Sequence, residues 1–444
     1  MTPAASTTLD ALRIGRRPDL QVPRRTMVPG GGALRRFEWI LEDEGAFSPR
    51  WLERAPAFPK IFWRSRSGAA QTLAMGTAAE GGLGELLELL EKSDPGLRVF
   101  GGCRFNGECP SDSDWRDFPD ACFFIPKAEI IHSGGRTTLA VNVTAGEGTL
   151  EDVADWIEAI DDMGVLPRPG VLTRWDQPVF RIWSETVARA LSDFRSGPLS
   201  KVVLARKSCL ELTETVTPFV LTEILAGGAP ACFHFCLQPT ATSGAFLGAS
   251  PELLCRREGS RLESEAVAGT RPRSLDTVED ARLESQLLKI SKEQLEHRLV
   301  VESLAQTFQS LCSSFTQDEG PSVLKLSRVQ HLRTAFSGEL KDGVRDDAIL
   351  RAFHPTPATC GFPCEDAVKF IASHEPFDRG WYAGPFGCVS RDDSEFAVAI
   401  RSMLWRGRHL HLYAGAGIVD GSDPEREWNE LEDKISGVLH LLSP

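Results

Sequence analysis

The 444-residue chain is predicted to fold as α+β, one continuous domain built on antiparallel strands. Strand-like segments outnumber helical ones and follow one another directly, where a doubly wound sheet would alternate strand and helix. No segment repeats at a fixed period, and no low-complexity linker divides the chain. The composition, 42% hydrophobic and 25% charged, is that of an ordinary globular protein.

Residues 1–33 are expected to be a disordered tail. Arg13, Arg16, Arg17, Arg24 and Arg25 are interleaved with prolines, Gly30 to Gly32 follow, and the apolar core of a secretion signal is missing. An organelle transit peptide would share the arginines, but Asp10 and Asp19 speak against one. Residues 34–195 make the first half of the domain. LGELLELLEKSD (83–94) has the period of an amphipathic helix. FGGCRF (100–105), CFFIPKAEII (122–131) and TTLAVNV (137–143) read as strands bounded by glycine and proline. LEDVADWIEAIDDM (150–163) reads as a second helix, and a third is expected from Trp175 to Phe194.

Residues 196–442 make the second half. LSKVVLAR (199–206), ACFHFCLQ (231–238), AFLGASPELLCRRE (245–258) and VLKLSRVQHLRTAFSGEL (323–340) read as strands with turns. One long helix is expected from Glu279 to Ser310, with Leu283, Leu287, Ile290, Leu295 and Leu299 on its apolar side. LHLYAGAGIVDGSDPEREWNELEDKISGVL (410–439) reads as a strand, a glycine turn and a helix. Ser422 or Asp423 suits the N-cap and Pro424 the first turn.

Charge and cysteine usage narrow the function. A net charge of −13 and a pI near 5.3 disfavour nucleic acid, whose phosphates need a basic face. No window approaches the ~20 apolar residues of a membrane helix, so a membrane partner is not expected. The 11 cysteines are scattered, without a Cys-x-x-Cys pair, and most sit in apolar runs. They read as reduced core thiols rather than a disulfide framework or a zinc site, which suits a cytoplasmic protein.

Several polar residues are out of keeping with their surroundings. Lys201 sits in a strand of Val, Val, Leu and Ala; apolar company favours its neutral form, which suits a general base, although a lysine reaching out to water fits the same pattern. Glu252 sits at the Ser-Pro turn of GASPELL, and Arg401 alternates with apolar neighbours in EFAVAIRSML as an edge residue or a carboxylate clamp. Glu427, Glu430 and Lys434 share one face of the last helix. Lys292, Glu293, Glu296 and His297 cluster on the long helix. Each group could be a solvated face; together, two helices offering carboxylates could hold a hard divalent ion such as Mg2+, which takes one or two protein carboxylates and keeps waters. AGTRPR and AGAGI precede these helices, as simple turns or as backbone N–H groups brought close to an anion.

Read in order, KVVLAR (201–206), GASPELL (248–254), AGTRPR (268–273), KEQLEH (292–297), VQHL (329–332), HPTPATCGFP (354–363), FDRGWYAGPFG (377–387) and YAGAGIVDGSDPEREWNELEDK (413–434) resemble the chorismate-utilising enzymes. That family comprises isochorismate, salicylate, anthranilate and aminodeoxychorismate synthases. The resemblance spans roughly residues 196–442 and is diffuse before them. It implies two packed antiparallel sheets with helices outside, a Mg2+ site between them and, mostly, a monomer. By motif, Glu296 and Glu430 match the magnesium ligands, Lys201 the general base and Glu252 the general acid. Gly269, Thr270, Tyr382, Arg401, Gly415, Gly417 and Lys434 match substrate-binding positions, and His331 another active-site residue.

The implied chemistry moves a hydroxyl from C4 to C2 of chorismate across the diene. Lys201 would deprotonate water attacking C2, Glu252 would protonate the departing hydroxyl, Mg2+ would hold the ring carboxylate, and Arg401 and Tyr382 suit the enolpyruvyl carboxylate. Within the family, Lys201 favours water over ammonia as nucleophile. Ala268 stands where some aminodeoxychorismate synthases carry a nucleophilic lysine. Ala358 stands where salicylate and anthranilate synthases usually carry threonine. The resemblance is therefore closest to isochorismate synthases, whose product feeds menaquinone, catechol siderophore and salicylate pathways alike. A salicylate synthase and a catalytically silent chorismate-binding subunit are the alternatives.

Overall fold

The segment read as the KVVLAR strand runs as Lys201–Leu212 and is buried along nearly its whole length, because it has a strand on each side. Val171–Gln177 pairs along one edge and His409–Val419 along the other. The computed structural model that shows this describes residues 25–27, 33–41, 47–92, 96–106, 113–144, 153, 164–325 and 329–442. From His409–Val419 the first layer continues through Ser402–Arg406, Ala245–Ser250, Phe233–Gln238 and Lys60–Arg64 to Ala70–Glu80, every pair antiparallel. A second antiparallel layer runs from Arg98–Cys103 through Pro385–Ser390, Asp393–Val398, Leu253–Glu258 and Arg261–Pro272 to Val329–Leu340.

The two layers are hydrogen-bonded into one net. The 13-residue strand Ala121–Ser133 pairs with both Ala70–Glu80 and Arg98–Cys103, so its two ends belong to different layers. Face to face, the layers bury aromatic residues that alternate inward along each strand. Phe235 stacks on Phe386 with ring centroids 4.8 Å apart, and Trp63 stacks on Phe386 at 6.1 Å. Trp115 and Trp381 are buried in the same core. Helices Phe180–Ser196, Pro218–Gly228 and Pro424–Leu442 pack together outside the first layer, and Ser291–Leu311 lies on the second. The α+β architecture expected from the sequence is the one found.

Four local expectations change. The helix expected from Trp175 begins only at Phe180; Trp175 lies in Val171–Gln177, paired with Cys209. Pro178 disfavours helix in the residue before it, and the strand ladder takes the backbone instead. The long helix is two, Thr277–Leu287 and Ser291–Leu311, because Ile290 is extended and the Gln294 side chain donates to the Leu288 carbonyl. Of the expected leucines, Leu287 and Leu299 are buried, joined on the second helix by Glu293, His297, Val300, Leu304, Phe308 and Leu311. AGAGI is not a turn: it lies inside His409–Val419, paired with 202–206, and the turn comes at Gly421. Arg401 is not on a strand but at the break between Asp393–Val398 and Ser402–Arg406, with φ of 51°.

The expected tail lies mostly outside the described residues; within it, Arg25–Met27 pairs antiparallel with 33–35. Apart from Val153, the helix expected at 150–163 also lies outside them. The described cysteines are free thiols, most of them buried. Among the described residues, no helix is long and apolar enough to cross a membrane.

Candidate active site

A pocket opens where the middle of His409–Val419, the turn before Leu253–Glu258, the end of Arg261–Pro272 and the helices Ser291–Leu311 and Pro424–Leu442 converge. Glu252, Gly269, Thr270, Glu296, His331, Ala358, Tyr382, Arg401, Gly415, Gly417, Glu430 and Lys434 all line it. Residues spread over nearly 200 positions of sequence are brought together because strands distant in sequence are neighbours in the sheets.

Glycine makes the room. A Cβ on Gly417 would lie 2.0 Å from Glu296 Oε1, and one on Gly415 would lie 2.9 Å from the Tyr382 hydroxyl. Gly269 has φ of +75° and sits at a register shift between Ala268 and Thr270, which turns this end of the strand toward the pocket. The His331 Nδ1 donates to the Gly269 carbonyl and lies 3.1 Å from the Thr270 hydroxyl. Burial, reinforced by Arg401 and Lys434, holds the imidazole neutral, with a pKa pushed down to about 3.

The acidic and basic groups are arranged in opposition. Glu252 is buried, and burial together with the nearby Glu265 pushes its carboxyl up to about 8 against the pull of Lys201, Lys434 and Arg66. Its turn is fixed by backbone contacts: the Ser250 hydroxyl accepts from Glu252 N at 3.2 Å and donates to the Val398 carbonyl at 2.6 Å. Lys201 is wholly buried, and desolvation pushes its ammonium below the usual lysine range although Glu296 opposes this. Its Nζ faces Glu296 Oε1 at 3.3 Å. Lys201 is not among the residues that line the pocket, whereas Glu296, which its Nζ faces, is.

On the last helix, the Lys434 Nζ donates to Glu430 Oε1 at 2.6 Å and to the Gly415 carbonyl at 2.7 Å, tying the helix to the strand. Desolvation of Glu430 is outweighed by Lys434 and Lys292, which hold its carboxyl low. Glu427 pairs with Lys292 at 2.6 Å. Glu293 pairs with Arg271 at 2.8 Å, and His297 bonds to Thr334 at 2.8 Å. Of the charged cluster read on the long helix, only Glu296 reaches the pocket. The guanidinium of Arg401, whose Nη1 lies 3.4 Å from the Lys434 carbonyl, adds a half-buried cation. A sequence model described as "Chorismate binding enzyme" matches residues 83–443.

The chain belongs to the chorismate-binding enzyme family. Its similarity extends along most of its length. It is 35% identical over 371 residues to the chloroplastic isochorismate synthase of Catharanthus roseus, covering 80% of this chain and 63% of that protein. It is 34% identical over 404 residues to the isochorismate synthase MenF of Escherichia coli, covering 88% and 90%. The chain thus spans under two thirds of the plant relative's length and most of the bacterial one's. The solved structure of the E. coli menaquinone-specific isochorismate synthase superposes with a TM-score of 0.84 at 30% identity, covering 100% of this chain and 99% of that one. The anthranilate synthase component I of Streptococcus pneumoniae shares the fold, with a TM-score of 0.69 at 20% identity.

Sequence reasoning missed some of the pocket of this chorismate-binding enzyme. Val203, Thr359, Tyr413 and Ala414 also line it. Strand alternation beside Lys201 and Gly415 could have supplied Val203 and Tyr413, since neighbours two apart share a face. Thr359 is placed by its carbonyl, which accepts from Arg379 Nη1 at 2.8 Å, a contact that no spacing announces.

Proposed function

We propose that the protein is an isochorismate synthase, an isomerase that converts chorismate to isochorismate by water attack at C2 and loss of the C4 hydroxyl. The observation that carries this reading is the pocket that brings Glu252, Glu296, Glu430, Arg401 and Lys434 together, with the buried Lys201 Nζ facing Glu296 at 3.3 Å: a carboxyl that burial keeps protonated, and an amine whose proton burial loosens. Names of the similar proteins support the same reaction. Arg401 and Lys434 give the pocket the positive charge that a dicarboxylate needs.

In the forward direction the Glu252 carboxyl gives its proton to the departing C4 hydroxyl, and Lys201 takes one from the attacking water. Lys201 does not itself line the pocket and its Nζ faces the Glu296 carboxylate, so base action requires that contact to open. Tyr382 and Arg401 orient the enolpyruvyl carboxylate, and neutral His331, fixed through Gly269, lines the wall beside the ring. Ala358 brings no hydroxyl to the pocket, in keeping with a reaction that stops before pyruvate elimination.

The residues fit Mg2+. Glu296 and Glu430 both line the pocket, and two carboxylates with waters and an anionic ligand are what this ion takes. Glu296, Glu427 and Glu430 together hold the Lys292 ammonium well above the usual lysine range, the mark of a site built for positive charge. When bound, magnesium would polarise and fix the ring carboxylate. We place the enzyme in the cytoplasm as a monomer acting on free chorismate, without nucleic acid or membrane partners.

Product analysis after incubation with chorismate and Mg2+ tests the reading. Isochorismate without pyruvate is expected; stoichiometric pyruvate in a lactate-dehydrogenase-coupled assay would make it a salicylate synthase instead.

A further inference from the structure

Behind the turn that carries Glu252, on the side away from the pocket, lies a buried carboxylate that the proposed mechanism does not use. Glu265 sits in Arg261–Pro272, and its side chain is 1% exposed. One oxygen accepts from the Leu253 backbone N–H at 3.3 Å, the residue next to Glu252. Arg66 donates to both oxygens, and Arg333 Nε donates to Oε2 at 2.6 Å. The same Arg66 Nη1 donates to the Pro251 carbonyl at 2.9 Å, on the other side of Glu252. The turn is therefore gripped on both flanks of the acid by one ion pair.

We propose that Glu265, held by Arg66, is the positioning residue for Glu252: the pair fixes the turn that aims its carboxyl into the pocket and sets a negative charge directly behind it. The inference rests on Glu252 being the general acid. Burying Glu265 without such a role would be costly, since a carboxylate withdrawn from water must recover its hydration from partners. Here the partners are arginines whose heads are still partly exposed, so the negative charge keeps its effect on the wholly buried neighbour.

The charges around Glu252 agree. After burial, Glu265 is the largest influence raising its carboxyl, opposed by Lys201 from Lys201–Leu212, Lys434 from the last helix and Arg66 from the turn after Lys60–Arg64. Tyr382 faces Glu252 as a neutral phenol. Arg401, His331, Glu296 and Glu430 complete the ring of ionisable groups around the same pocket.

The test is the pH dependence of kcat/KM for chorismate at saturating Mg2+, measured on the full chain. Glu265→Gln should move the alkaline limb down by about one pH unit or more, leaving KM near pH 6.5 within about twofold and the fold intact by circular dichroism. Arg66→Met, which removes the counter-charge, should move the same limb up. A purely structural role would lower activity at all pH values without moving the limb, and limbs unmoved in both variants would overturn the proposal. Should Glu265→Gln not fold, the direction of the Arg66→Met shift decides alone. Glu252→Gln is measured alongside: if it keeps wild-type turnover, the acid assignment itself fails and the proposal with it, whereas an inactive Glu252→Gln with unmoved limbs removes only Glu265.

Discussion

Glu252 and Lys201 show burial working in both directions that the reaction needs, because desolvation favours the neutral form of an acid and of a base alike. Their pH dependence follows in sign. The working acid is protonated, so activity should fall as pH rises through about 8, where Glu252 loses its proton. The working base is neutral, so activity should also fall once pH drops far enough for Lys201, whose pKa burial lowers, to regain its charge. Glu252→Gln should lower turnover by about 10²–10⁴, the range for loss of a proton-transfer group, while calorimetry still detects chorismate binding. Stability carries the same sign. Folding raises the Glu252 pKa, so its contribution is fully present below the ordinary carboxylate range and is lost as pH rises toward about 8. Both residues were legible in the sequence because each is a charge in apolar company. That the Lys201 Nζ faces Glu296 was not, since it depends on how a helix 95 residues further along is seated.

At the scale of elements, the strand His409–Val419 and the helix Ser291–Leu311 approach as closely as they do because Gly417 has no side chain. Gly417→Ala should displace the Glu296 carboxylate without straining the backbone. The expected result is weaker Mg2+ binding by titration calorimetry and reduced turnover, with a thermal unfolding midpoint close to wild type. A large fall in that midpoint would mean that the glycine serves packing instead. The strands themselves were readable from alternation and bounding glycines. The helix boundaries were not: Thr277–Leu287 and Ser291–Leu311 carry one continuous apolar period, and only the side chain of Gln294 and the extended Ile290 reveal the break. AGAGI misled for a related reason, since glycine-rich sequence fits a turn as well as a strand that must leave space for its neighbours.

For the whole molecule, the α+β class followed from strand succession, whereas the merging of the layers through Ala121–Ser133 depends on one strand changing partners along its length. A net continuous in hydrogen bonds should unfold as one unit. Near-ultraviolet and far-ultraviolet circular dichroism should therefore report coincident thermal transitions. Phe386→Ala should lower both together, by about 3–5 kcal/mol, because the ring is wedged between Phe235 and Trp63 where the layers meet. Separate transitions for the two signals would mean that the layers melt independently.

That continuity also bears on how the chain is made. Lys60–Arg64 finds its second neighbour only at Phe233–Gln238, and Arg98–Cys103 its second only at Pro385–Ser390. During synthesis these early strands leave the ribosome with one edge open and must wait through about 170 further residues in the first case and about 280 in the second. The pocket itself stays incomplete until Lys434 has been added. A nascent chain of this topology carries adhesive, unpaired β-edges for most of its translation, so holding factors that shield such edges should govern its yield more than any property of the finished enzyme.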